Sequence, residues 1–564
     1  MVDFNSEYKE NLKYWLACIV GFVAILTIII VGGFYIAKPH LDDFVKREIA
    51  RHSIKAIRSE VSVIGKVNLR NVTIPMPANM SLRIGALSAR PPIAFIPGTF
   101  TLYDVDLKYN NIHVRIPKIS INSVSLEKND TTVASRFLQF ITRVKLSSIV
   151  APSMLISIEN ENKLTDKIEV KNLQLYGLKN GHIYSVDVET MNLGTTAANG
   201  AQPIHIVARS NAIKARDIDI RYAYSVFFGR SNFTNQGKTI TGLIALDDTI
   251  VDIFKGKEKS TSFSLGRFKT SGLKMKTLKQ APEKLIRAYL SAKKKGNKTA
   301  QKTVRNAAFM DALLAVTSID AKMDKFSINT PQLKAKFDSF QFKPSQWERP
   351  VPKKLLLSLD NFSVVPGEIE REDLDFLKNV NFEQLILSGK LDISYDEQKR
   401  AISLNVVSFD MKDIGSGEIS ARISGVDEEV FSGQKNVMIA SFQNFCITEA
   451  SVRYTDAGLI DHLFSHLAQK FNDDKYDLKK ELYDDFYLIM TQSPKLLLKN
   501  SDKTEIVSKS LGDFAKNPKT LTIKITTKDE KGLRIADLGA DLQNNLSAVL
   551  SKMNLTIENE SSPL

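Results

Sequence analysis

His462 and His466, four residues apart with Asp461 beside them, come nearest to a metal site in this chain of 564 residues. On a helix that spacing puts both imidazoles on one face. A zinc site needs three or four ligands, however, and Leu463 stands where the H-E-x-x-H form requires its glutamate base. A solvated pair is the simpler reading. Cys446, among Phe442, Phe445 and Ile447, reads as a small buried hydrophobe, with nothing nearby in sequence to lower its pKa. Glu368, Glu370, Glu372, Asp373 and Asp375 follow Pro366-Gly367. They lack the glycine and ligand spacing of a calcium loop and suit the first turn of a helix. Phosphate-loop, nucleophile-turn and dinucleotide motifs are absent. No catalytic residue, metal or cofactor is assigned, and the expectation is a protein that is not an enzyme.

Charge is concentrated more than chemistry is. From Arg267 to Arg305 there are thirteen Lys/Arg and one acid, Glu283, which is +12 of a net +14. Helices are expected over 281–295 and 299–317, with Gly296 and Asn297 breaking between them. Lys293, Lys294 and Lys295 are the candidates for contact with anionic headgroups or an acidic protein partner. A plain solvated insertion is the bland alternative. Only Phe268, Tyr289 and Phe309 flank the stretch, too few for the base stacking that single-stranded nucleic acid would need.

The elements that would carry these groups follow from composition and periodicity. Hydrophobic residues are 43% of the chain and charged residues 25%, an ordinary globular balance. A mean hydropathy of −0.14 excludes a polytopic membrane protein but allows one span. That span is Trp15–Ala37, 23 residues without a charge, or roughly 34 Å of helix, enough for a hydrocarbon core. It is too long for the apolar region of a cleaved signal peptide. The tail before it holds two Lys/Arg; the flank after it, to Arg58, holds six. The positive-inside rule then keeps the bulk of the chain cytoplasmic, but long domains translocate largely regardless of charge, so the side stays open. Two cysteines exclude a disulfide scaffold.

After a stalk helix over 38–60 the period changes from 3.6 to 2. Tyr103, Val105 and Leu107 alternate with Asp104 and Asp106, turn at Asn110-Asn111, and return as Ile112, Val114 and Ile116. Asn180-Gly181 is a second hairpin turn. Leu391 and Ile393 share parity with Leu387 and Tyr395, and Ile402 and Leu404 return after a polar turn. The fold class is therefore mostly β with α (α+β). The expected order is a tail (1–14), a transmembrane helix (15–37), the stalk (38–60), an elongated antiparallel β domain (61–266), a basic helical insert (267–317), continuing β (318–455) and a C-terminal α/β module (456–564). In that module helices are expected over 456–470, 476–490, 505–515 and 535–553, with a strand over 520–526. Sheets of this kind have one apolar face, which something must cover.

An anchor followed by alternating strands such as FTLYDVDLKYNNIHVRIPKISI and LILSGKLDISYDEQKRAISLNVVSFDM resembles the AsmA-like group of bacterial envelope proteins. VRYTDAGLIDHLFSHLA and FAKNPKTLTIKI resemble pieces of alphaproteobacterial membrane-anchored proteins. The resemblance implies a single inner-membrane anchor, a periplasmic bulk domain and an apolar sheet face able to hold lipid. The lysine-rich insert departs from it. The candidate lipid-facing residues are Tyr103, Val105, Leu107, Leu391 and Ile393, for which an ordinary closed core is the competing expectation. A scaffold that recruits an acidic partner through the basic insert, and an envelope-acting enzyme, are the other functional readings.

Overall fold

The computed structural model describes residues 55–560 apart from 63–65, 75–79, 91–97, 127–141, 160–164, 198–202, 229–236, 279, 281, 332, 348–350, 367–384, 433, 472–476, 499–501, 538–548 and 550. Before 55 it describes only 43, 46, 47 and 50, all helical. The expected span Trp15–Ala37, the tail before it and the cluster Glu368–Asp375 lie outside the described residues. No helix among the described residues is long and apolar enough to cross a membrane.

The protein is mostly β with helices, and its strands pair antiparallel with their sequence neighbours. It divides into two compact units, 1–214 and 215–564. The division falls inside the strand Ile204–Asp219.

The first unit is a meander. Arg58–Val61 pairs with Val67–Ile74, which pairs with Met80–Arg90. Thr99–Tyr109, Ile112–Asn122, Val144–Glu159, Thr165–Lys179 and His182–Ala197 follow in order. Both expected turns form. Tyr109 faces Ile112 across Asn110, whose φ is 51°. Lys179 faces His182 across Asn180 and Gly181, both at positive φ, as a two-residue hairpin of this twist requires. The stalk helix expected over 38–60 ends earlier. Lys55 already exchanges backbone bonds of 3.0 and 2.8 Å with Thr73, because the edge of the first long strand offers its neighbours a partner.

The second unit repeats the scheme from Lys238–Lys255 through Glu258–Met275, Val316–Asn329, Leu333–Ser345, Lys354–Pro366, Leu385–Asp396, Ala401–Met411, Gly415–Ser424 and Cys446–Asp456 to Thr520–Thr527 and Met553–Glu560. Helices interrupt the chain without interrupting the order. Pro282–Lys294 and Lys298–Ala315 lie between strands that remain paired. Leu459–Lys470, Leu478–Leu498 and Asp502–Lys516 do the same. The basic helical segment is thus shorter than 267–317: Arg267–Met275 belongs to a strand, where its cations share the sheet's period of two. Gly458 is the N-cap of the helix Leu459–Lys470, and the carboxylate of Asp456, two residues before it, accepts the N–H groups of Gly458 (3.0 Å) and Ile460 (3.3 Å). The helix expected to run to Met553 gives way there to an unforeseen last strand, paired with Thr520–Thr527.

Closed cores are small and local. One gathers Leu69, Val72, Ile84 and Val105 in the first unit. Another gathers Tyr222, Val226, Ile240, Met275 and Ala315, where the Tyr222 hydroxyl donates to the Met275 carbonyl at 2.7 Å. A third joins Tyr395, Val426, Val430, Phe431 and Phe445, with the Tyr395 hydroxyl donating to Val426 O at 3.0 Å.

Candidate functional site

Residues directly opposite on antiparallel strands share a face, so the register shows what each face carries. In the first unit Ile74, Leu82, Leu107, Val114, Ile156, Ile168 and Leu193 stand opposite one another in turn, one per strand. In the second unit Ala321, Phe342, Leu357, Leu391, Val407, Ile419 and Val452 form a row of the same kind. Leu355, Ile393, Leu404 and Ala421 run beside it. At about 4.8 Å between strands, each seven-membered row spans roughly 29 Å.

Exposure decides whether these rows are core. Apolar residues between two packed layers are fully buried. Here every member of the first row is only half-buried, as are Ala321, Phe342, Leu357, Leu391 and Val407. Ile419 and Val452 are 43% and 44% exposed. On the reverse face Gln341, Ser358 and Ser408 are half-buried and Lys322, Lys390, Glu418 and Arg453 are exposed, so the apolar face is better covered than the polar one without being sealed. By contrast Val226 and Val426 in the closed cores are at 0%.

Aromatic side chains shape the same face. Phe326 and Phe337 stack at 4.9 Å across their strand pair. Phe409 stands between Gly389 and Gly417. A Cβ at Gly417 would overlap the Phe409 ring, so the missing side chain lets the ring lie down on its neighbour while 42% of Phe409 stays exposed.

The five candidate strand residues separate into three situations. Leu107, Leu391 and Ile393 lie in the half-covered rows. Val105 is 8% exposed and belongs to a closed core. Tyr103 is on the other face, 40% exposed, with the Lys118 ammonium 5.9 Å from its ring centroid. The cause is Asp104, whose φ of 51° inserts an irregularity that turns Leu102, rather than Tyr103, toward Val105. Lys293 and Lys294 are in the last turn of Pro282–Lys294, and Lys295 follows it, exposed. They belong to the inserted hairpin and not to a row.

The groups that could do chemistry are placed otherwise. The Asp461 carboxylate beside His462 and His466 receives the Lys479 ammonium at 2.7 Å and the Tyr483 hydroxyl at 3.1 Å. Lys479 holds that carboxyl below its usual pKa, while burial, helped by Asp461, pushes the Tyr483 phenol up to about 12. Among the described residues no group of three or more His, Cys, Asp and Glu could hold a metal. Cys446 is half-buried, and burial pushes its thiol pKa up.

Phe342, Leu357, Val407 and Ile419, with Ile156 and Leu193, carry no signal in sequence that marks them as members of a row. Their period-two spacing marked strands, but membership of one row needs the register. A family model described as "Uncharacterized protein" matches residues 408–560, which take in the C-terminal helices and the strands around them. No curated protein matches the chain.

Proposed function

We propose that the chain is a non-enzymatic, single-pass membrane protein whose apolar sheet faces hold or shield lipid acyl chains. The supporting observation is the row through Leu391: seven apolar residues on seven strands, none of them sealed. Leaving such a surface in water is costly at about 25 cal/mol per Å², and contiguous apolar surface of this kind marks a binding face. The charge-free run Trp15–Ala37 supplies a tether to the source of such a ligand, and the AsmA-like layout agrees with an inner-membrane anchor and a periplasmic body. The test is a photo-crosslinking residue at Leu391 or Ile419, compared with one at Lys390 or Glu418 on the reverse face. Acyl chains captured from membranes at the first pair and not at the second support the reading. Equal capture, or lipid-free protein on extraction, counts against it.

A second reading rests on the inserted hairpin. Leu290, Phe309 and Met310 are 55%, 66% and 48% exposed among its many cations, a composition that fits an acidic protein partner. Replacing 282–315 by a short linker separates the two: loss of a co-purifying protein with lipid retained favours the scaffold.

A further inference from the structure

At the start of the first unit a recess of about 780 Å³ is lined by Lys46, Lys55 and Arg83 with Ser59, Asn71 and Thr73. Pairing assembles it. Lys55 bridges Thr73, and Thr73 faces Arg83, so the two cations flank a hydroxyl on one face. Helical Lys46 closes the group. Asn71 enters the rim at a φ of 51°, and the Ser59 Oγ is buried with no hydrogen-bond partner among the described residues. Among the described residues no acid lines the recess. The next residue along the row, Asp106 opposite Arg83, has its carboxylate engaged by His113 Nε2 at 2.9 Å, with Arg115 Nε at 3.7 Å. Among the described residues none of the three lining cations has an acidic partner.

Three cations with hydroxyl and amide donors, and no carboxylate among the described lining residues, are the chemistry of an oxyanion site, phosphate above all. Place in the chain says which phosphate. Lys46 follows Ala37, the end of the charge-free run, by nine residues, which is about 14 Å of helix and at most about 32 Å of extended chain. Ile57, on the rim, is 81% exposed, an apolar side chain among cations, as at membrane surfaces. We propose that this recess binds the phosphate of an anionic lipid headgroup; the assignment rests on the tether reading and is independent of acyl binding by the sheet faces.

The experiment uses the full chain in a neutral detergent, titrated by calorimetry at fixed ionic strength. The three probes are dihexanoyl phosphatidylglycerol, dihexanoyl phosphatidylcholine and sodium phosphate. Saturable binding of the phosphatidylglycerol, at least ten-fold tighter than of the other two, is expected. Lys55→Gln with Arg83→Gln should weaken it about 25-fold, at about five-fold per cation removed. Lys167→Gln with Lys179→Gln, an equal charge change on exposed side chains elsewhere in the unit, should leave it unchanged. Both double variants are checked for unaltered circular dichroism and melting. Equal affinity of wild type and the Lys55/Arg83 variant, equal loss in the control variant, or inorganic phosphate binding as tightly as the lipid would each overturn the assignment. The tether is read separately, by whether the chain stays with membranes through an alkaline carbonate wash. A chain that stays but shows no headgroup preference sinks the recess alone.

Discussion

Asp104 lies opposite Gly85, and a Cβ built on Gly85 would come within 2.9 Å of the Asp104 Cβ. Asp104 sits at a φ of 51°, and the pairings on either side of it, Ala86 with Tyr103 and Ile84 with Val105, skip both residues. On the other side of Gly85 is Asn71, also at 51°, between the pairings Arg70 with Ala86 and Val72 with Ile84. One glycine therefore accommodates a left-handed residue on each neighbouring strand, and the irregularity crosses the sheet as a seam. The same arrangement recurs in the second unit, where Gly266 lies between Asp248 and Lys325, at φ values of 45° and 55°.

Gly85→Ala is expected to destabilise the first unit by about 1–3 kcal/mol, the cost of forcing a methyl group into packed structure. Asp104→Gly removes the opposing Cβ and relieves the strained φ, so the double variant should recover most of the loss. Urea unfolding of the two single variants and the double variant measures the coupling. Additive effects would show that the two residues do not share one space.

Half-covered rows and closed cores should respond differently to truncation. Leu391→Ala, in a row, is expected to cost about 1 kcal/mol, because its side chain is only partly buried. Phe431→Ala, at 4% exposure in a closed core, should cost about 3–5 kcal/mol. Both lie in the second unit, so one denaturation series compares them. A loss at Leu391 as large as that at Phe431 would mean the face is sealed.

Asp252 gives a pH dependence of definite sign. The Lys259 ammonium at 2.6 Å and the Ser262 hydroxyl at 2.7 Å hold its carboxyl below the ordinary 3.8. A lowered folded pKa contributes stability above the unfolded value and loses it as pH falls through the folded one. Lys259→Met should therefore destabilise at neutral pH by less than about 1 kcal/mol, since the pair is partly solvated. The difference from wild type should close as pH drops below 3.8. Carboxyl carbon titration by NMR should show Asp252 rising toward its ordinary value in the variant.

Cys446 should be slow to alkylate. Burial raises its thiol pKa, and the Sγ–H donates to Asn444 O at 3.6 Å. In a Cys18→Ser background, iodoacetamide labelling at pH 7.5 should be at least about ten-fold slower in the folded chain than in urea, where a thiol returns to its ordinary reactivity. Equal rates would place the thiol in open solvent.

Local chemistry made much of the architecture legible. Asn180-Gly181 accepts positive φ with little steric cost, so its hairpin could be read without a partner in view. The break at Gly296 and Asn297 between two helices is equally local. Period-two alternation identified the strands of Leu391 and Ile393 for the same reason: a pleated strand sends successive side chains to opposite faces whatever lies beside it.

Tyr103 shows where that reasoning stops. Its alternation with Val105 is unbroken in sequence, yet the two face opposite sides, because Asp104 adopts a left-handed conformation that only Gly85, nineteen residues earlier, makes room for. The helix expected through Lys55 failed likewise, since Thr73 offered backbone bonds that no local pattern records. The sequence by itself determined many of the alternating strands, the hairpin turns, the inserted helices and the cluster of positive charge, all products of neighbours along the chain. Tertiary structure alone decided which apolar residues line up across strands, which of them meet solvent, and that Lys46, Lys55 and Arg83 share one recess. Those outcomes depend on register and cover, which are set between segments far apart in sequence.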